Sequence, residues 1–241
     1  MIFFRVLITL FLILTAIIVI GAIALIPGYG KKWRLVVRRI WIRMILWGLN
    51  VRLRLRGDIP QEPCILVANH RSYLDPLLIM TRVLALPVAK AEMAKWPLLG
   101  LAGKVSGIFY VQRESPRDRK RTLLAITQAV REGETILIFP EGTTHSEDRT
   151  IAFKKGVFQV AAQEGVPIIP VALDFRDKAD YWLANDSFAG HFLRRFGWRR
   201  VRCSVVIGQP LRHHDADTLL SDASIWIDEM LPVIQEELRR E

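Results

Sequence analysis

The chain has 241 residues, 34 lysines and arginines against 24 aspartates and glutamates for a net charge of +10, and 51% apolar residues. It is too apolar to be disordered and long enough for a sizeable core, and its two cysteines, Cys64 and Cys203, exclude a disulfide scaffold or a four-cysteine zinc site. Excess positive charge in so apolar a chain points to an anionic membrane, a phosphorylated substrate or nucleic acid.

Val6 to Ile26 form one apolar run, interrupted only by Thr9, Thr15 and Gly21. About 20 helical residues span the roughly 30 Å hydrocarbon core, and the run is long for a signal peptide and has no cleavage site before a soluble sequence. Arg5 alone precedes it, whereas Lys31, Lys32, Arg34, Arg38, Arg39 and Arg43 follow, which puts the remainder on the cytoplasmic side, in a bacterium that of the inner membrane. Trp33 to Leu55 then interleave arginine with Trp33, Trp41, Trp47 and aliphatics. That is the pattern of a helix in an anionic membrane interface, or of one packed on the next domain. The first run either crosses the bilayer or pairs with this helix as a shallow hairpin. Residues 1–56 are assigned to a membrane anchor and 57–241 to the body of the protein, C-terminal helix included.

From Gly57 onward, short apolar runs alternate with helical patterns. Strands are expected at Cys64–Ala68, Val88–Ala89, Ile108–Val111, Thr135–Phe139, Ile168–Leu173 and Val201–Ile207. Ser115-Pro116-Arg117-Asp118 reads as an N-cap with proline at the first helical position, and Gly133 as that helix's stop. A second helix runs from about Lys155 through Ala162 to Gly165 and Pro167. In the last segment Leu219, Ala223, Ile227, Met230, Ile234 and Leu238 share a helical face, which Pro232 should kink or split. The alternation predicts an α/β fold, a mostly parallel sheet flanked by helices, with an N-terminal membrane-embedded helical segment.

Two polar motifs sit where two strands end. Asn69-His70-Arg71-Ser72-Tyr73-Leu74-Asp75 follows Cys64–Ala68. On an ideal helix five residues advance about 500°, leaving His70 and Asp75 roughly 140° apart, so they meet only across a turn. A histidine whose second ring nitrogen is held by a carboxylate is an oriented general base. The spacing also arises by chance, and Asp75 before Pro76 has the form of an ordinary helix N-cap. Phe139-Pro140-Glu141-Gly142-Thr143-Thr144 follows Thr135–Phe139. If the two strands are parallel, both motifs emerge at the carboxyl edge, where open α/β sheets bind ligands. There glycine permits close backbone approach, and threonine hydroxyls and exposed amides can donate to a phosphate or an oxyanion, although the motif alone reads equally as a polar turn.

Together these motifs resemble the glycerolipid acyltransferase family, typified by 1-acyl-sn-glycerol-3-phosphate (lysophosphatidate) acyltransferases. Its blocks occur here in order: His70 and Asp75; Gly107-Ile108-Phe109-Tyr110-Val111-Gln112-Arg113; Phe139 to Thr143; and Val166-Pro167-Ile168-Ile169-Pro170-Val171. Lys90-Ala91-Glu92 with Pro97 and Gly100 is similar to the stretch between the first two, and the resemblance covers about residues 57 to 211. It implies a membrane-bound enzyme in which His70, oriented by Asp75, deprotonates the free hydroxyl of the lysolipid for attack on an acyl thioester, giving phosphatidate. The thioester is acyl-CoA or acyl carrier protein, and no other cofactor is implied. The chain has no Gly-x-Ser-x-Gly elbow, in keeping with direct transfer and no acyl-enzyme.

The resemblance also implies that Arg113 binds the acceptor phosphate through its fork of donors, and that Glu141, Gly142 and Thr143 contact the acceptor. Thr144, Lys154 and Lys155 are further phosphate candidates, the lysines reading equally as a solvated helix start. Many phosphatidate-forming members carry arginine where this chain has Thr144, which removes one cation. Arg149 or Lys154 then compensates, or the acceptor is a lyso-ornithine lipid or another lysophospholipid. A non-catalytic lipid-binding protein is the remaining alternative. His145, His191, His213 and His214 lack metal-ligand spacing, and no RNA-binding aromatic signature or zinc finger is present, so neither metal nor nucleic acid is expected.

Overall fold

A computed structural model describes residues 2–25, 31–95, 99–111, 115–183, 185–195 and 200–240. Its strands are β1 (Val51–Arg56), β2 (Ile65–Ala68), β3 (Leu86–Lys90), β4 (Phe109–Val111), β5 (Ile136–Ile138), β6 (Ile168–Phe175) and β7 (Val201–Ile207). They form one sheet in the order β1-β7-β6-β2-β5-β3-β4. The run from β6 to β4 is parallel throughout, whereas β7 is antiparallel to β6 and carries β1 parallel to itself at the edge. The helices are α1 (Ile2–Leu25), α2 (Lys31–Gly48), α3 (Asp75–Met80), α4 (Leu99–Ser106), α5 (Pro116–Arg131), α6 (Gly156–Glu164), α7 (Phe188–Arg195) and α8 (Ala216–Arg240).

Because side chains alternate along a strand, the central strands supply two cores. Leu66, Ala68, Leu137, Ile169 and Val171 face α3 and the second half of α2. Ile65, Val67, Ile136 and Ile168 face α5 and α6. α8 closes the second face with Leu219, Ala223, Ile227, Leu231, Ile234 and Leu238, Leu231 taking the buried place expected for Met230. The helix runs through Pro232 without a break, so the expected split does not occur. Ser115 caps α5 by accepting the Asp118 N–H at 3.1 Å, and Gly165 ends α6 in the left-handed conformation, φ 67°.

The sheet is larger than expected at one edge. Val51–Arg56 lies inside the segment assigned to the anchor and to a helix through Leu55, yet α2 stops at Gly48 and Asn50 turns the chain at φ 57°. Val51-Arg52-Leu53-Arg54-Leu55-Arg56 then pairs along β7. Its strict apolar–basic alternation is the period of a half-buried strand.

α1 runs antiparallel to α2. Trp41 Nε1 donates to Thr15 Oγ1 at 3.1 Å, and Ile8 lies against Gly48 at the other end. Three arginines of α2 bond the body: Arg38, Arg39 and Arg43 donate to the carbonyls of Ala85, Arg82 and Thr81 at 2.6, 3.5 and 3.1 Å. Burial pulls the Arg38 guanidinium down to about 10. The outward side of the helix pair is apolar instead, with Phe4, Phe11, Ile18, Ile40, Met44 and Trp47 all exposed, Trp47 by 78%. Phe4–Ile23 is long and apolar enough to cross a membrane.

Candidate active site

β2 and β5 are parallel neighbours, so the two polar motifs leave the sheet side by side at its carboxyl edge. Asn69 anchors the first. It is fully buried, and its side chain both donates to the Leu173 carbonyl and accepts the Leu173 N–H, each at 2.9 Å, extending the β2–β6 register by side chain where β2 has ended. His70 follows with its ring stacked on Phe139, centroids 4.2 Å apart.

The chain then turns so that Asp75, first residue of α3, faces back. Asp75 Oδ2 lies 2.7 Å from His70 Nδ1 and accepts the N–H groups of Arg71 and Ser72 at 2.6 and 2.8 Å. It does not cap α3, whose N-cap is Leu74 with no side-chain bond. Three donors converge on one buried oxygen and hold that carboxylate in place, with Nδ1 the ring nitrogen of His70 that donates to it. The histidine side chain is 21% exposed and Asp75 not at all. No described residue bonds Nε2, which leaves the basic lone pair of the imidazole available at the edge of the sheet.

Glu141 ties the second motif to the first. Its Oε2 accepts the His70 N–H at 2.6 Å, and its Oε1 accepts from His145 Nε2 at 2.8 Å and from the Ile151 N–H at 3.3 Å. With a buried side chain and both oxygens committed, Glu141 braces the two loops against each other. The sequence reading considered His145 only as a metal ligand and gave it no place in the site. Its Nδ1 accepts from Arg71 Nη1 at 3.1 Å and from the Glu147 N–H at 3.2 Å, which makes Nε2 the protonated nitrogen that donates to Glu141. Arg71 itself is fully buried, 5.4 Å over the Tyr181 ring and 4.0 Å from the Asp174 carboxylate. No spacing in the sequence signals this layer, because its members converge from four separate segments.

Gly142 takes φ 76°, a conformation few other residues accept, and its N–H is used by the Phe139 carbonyl at 3.1 Å. A Cβ here would collide with Lys154 Nζ, so the ammonium of Lys154 lies directly over this turn. Thr143 is exposed and Thr144 half-buried, and no described group accepts from the N–H of either. Lys155 is paired with Asp217 of α8 at 2.6 Å. Arg113 lies outside the described residues. Burial pushes the Cys64 thiol up to about 12 and the Cys203 thiol well above its ordinary value, so neither is a nucleophile. Among the described residues no group of three or more His, Cys, Asp or Glu could hold a metal.

A family model described as acyltransferase matches residues 50–174. The 1-acyl-sn-glycerol-3-phosphate acyltransferase of Neisseria meningitidis serogroup B is 30% identical over 161 residues, covering 66% of this chain and 63% of that protein. The lyso-ornithine lipid O-acyltransferase of Pseudomonas aeruginosa is 28% identical over 185 residues, covering 74% of this chain and 71% of that one. This chain thus spans somewhat less than two thirds of the Neisseria relative. The crystal structure of the 1-acyl-sn-glycerophosphate acyltransferase from Thermotoga maritima matches with a TM-score of 0.62 over 98% of this chain and 95% of that one, a likeness of fold at 20% identity. With its matched region running from β1 through both motif loops to Asp174, just over half its length, the chain belongs to the acyltransferase family.

Proposed function

We propose that the protein moves an acyl group from a thioester, on coenzyme A or a carrier protein, to the free hydroxyl of 1-acyl-sn-glycerol-3-phosphate, giving phosphatidate. The observation that carries this reading is the 2.7 Å His70–Asp75 pair, with Nδ1 held and Nε2 left to substrate. Nε2 takes the hydroxyl proton as the oxygen attacks the thioester carbonyl carbon. The tetrahedral adduct then breaks its carbon–sulfur bond, and the proton on Nε2 passes to the departing thiolate. Asp75 stabilises the transient imidazolium. The names and likeness of the Neisseria and Pseudomonas relatives support acyl transfer to a lysolipid.

The N–H and hydroxyl groups of Thr143 and Thr144, with the Lys154 ammonium over Gly142, supply donors for the acceptor's phosphate. Arg113 joins them on the resemblance of its block. One observation favours a second acceptor: Thr144 stands where arginine would add a cation, which suits lyso-ornithine lipid or another lysophospholipid. Membrane attachment is through the exposed apolar side of α1 and α2, with the body on the cytoplasmic face of an inner membrane. Comparing lysophosphatidate, lysophosphatidylethanolamine and lyso-ornithine lipid as acceptors for a palmitoyl thioester tests this reading. Fastest turnover with lysophosphatidate is expected. A faster rate with either alternative moves the protein to that acceptor, and no transfer to any of them refutes the reading.

A further inference from the structure

Three cations form a stripe at the start of α5. Arg117, Lys120 and Arg121 are three and four residues apart and so share one helix face, which Leu124, 61% exposed, continues. All three are exposed, and no ion pair engages them among the described residues. Asp118, the acid within that turn, is bound to Ser115. Helix stability does not account for the cluster, since a cation near the positive end of the helix dipole costs on the order of 0.3–1 kcal/mol.

The stripe stands at the working edge of the sheet. β4 ends at Val111 and α5 opens at Pro116, so the start of α5 lies over the same carboxyl edge as His70. β4 is three strand spacings from β2, roughly 14 Å at 4.7–4.9 Å each. The buried side of α5 packs on the face of the sheet opposite α3.

We propose that this stripe docks an acidic carrier protein that presents the acyl group as a thioester. The inference rests on the acyl-transfer reading and adds to it the form of the donor and its place of approach. Charge complementarity selects this occupant: a convex face with three cations and a leucine fits the acidic, partly apolar surface of a helical protein. The phosphates of a soluble coenzyme call for a concave cradle, which the outside of a helix does not offer.

The test uses the full chain in detergent with the palmitoyl thioester of an acyl carrier protein and, separately, palmitoyl-CoA. For the R117E/K120E/R121E variant, KM for the protein donor should rise about ten-fold or more while both constants for palmitoyl-CoA stay within about two-fold. The wild-type KM for the protein donor should also rise with salt. The R117Q/K120Q/R121Q variant should show the same ordering with a smaller rise, and serves if the charge reversal fails to fold. An unchanged KM for the protein donor overturns the proposal. So does an equal rise with both donors, which would put the coenzyme phosphates on the stripe, and so does a wild type that uses palmitoyl-CoA alone. Turnover with neither donor instead refutes the acyl-transfer reading beneath it.

Discussion

His70 is poised by what surrounds it more than by its own position. Asp75 Oδ2 collects three donors, and the Asp75→Asn change replaces a charged acceptor with a group that can turn its amide hydrogens toward them. That variant should lose about 10²–10⁴-fold in kcat, the range of a positioned general base, with little change in acceptor KM. Steady-state kinetics check it, and a kcat within a few-fold of wild type would remove Asp75 from the mechanism. Glu141 makes a sharper case, because both its oxygens are committed to the two loops. As a brace, Glu141→Gln should lower kcat and melting temperature together and leave acceptor KM unchanged, since Gln cannot accept from His70, His145 and Ile151 with both ends. A raised acceptor KM at unchanged melting temperature would return Glu141 to the acceptor.

Two elements carry consequences of the same kind. Asn69 joins β2 to β6 through two buried hydrogen bonds, and Asn69→Ala strands the Leu173 N–H and C=O. Denaturant unfolding should show a loss of about 2–6 kcal/mol, from roughly 1–3 kcal/mol for each of the two buried groups left unpaired. α7 adds a pH dependence through His191, 1% exposed, whose ionisation burial shifts downward from 6.5. A depressed value means that the unfolded chain takes up the proton first as pH falls. Stability from this group is therefore whole above about 6.5 and declines below it. Melting temperature should fall more between pH 7 and pH 5.5 in the wild type than in His191→Gln, and equal falls would contradict the assignment.

At the scale of the whole molecule, α1 and α2 turn a usual pattern inside out, with arginines on carbonyls of the body and tryptophan and phenylalanine outward. Replacing Phe11 and Trp47, both more than 60% exposed, with serine should weaken sedimentation with phospholipid vesicles about ten-fold or more. The melting temperature should not move. Vesicle binding equal to wild type would place membrane contact elsewhere.

Strand–turn–helix punctuation in the sequence was enough for the parallel core, because β2, β5 and β6 as far as Leu173 are largely buried and read as apolar runs. β1 was hidden by its neighbour: an arginine-rich helix ends two residues before an arginine-rich strand, and composition blurs a boundary that alternation reveals. The pairing of His70 and Asp75 across a turn was legible from helix geometry. The inward turn of Glu141 and the layer of Arg71, His145 and Asp174 were not, since they depend on loops far apart in sequence meeting at one edge.

The central claim is that His70 removes the acceptor proton, and the rate of acyl transfer by His70→Ala against the wild type tests it most directly. Membrane-bound protein of matched melting temperature would be given a palmitoyl thioester and lysophosphatidate. Loss of about 10²-fold or more in kcat is predicted, the least that a positioned general base contributes. Turnover by His70→Ala within a few-fold of wild type would contradict the account.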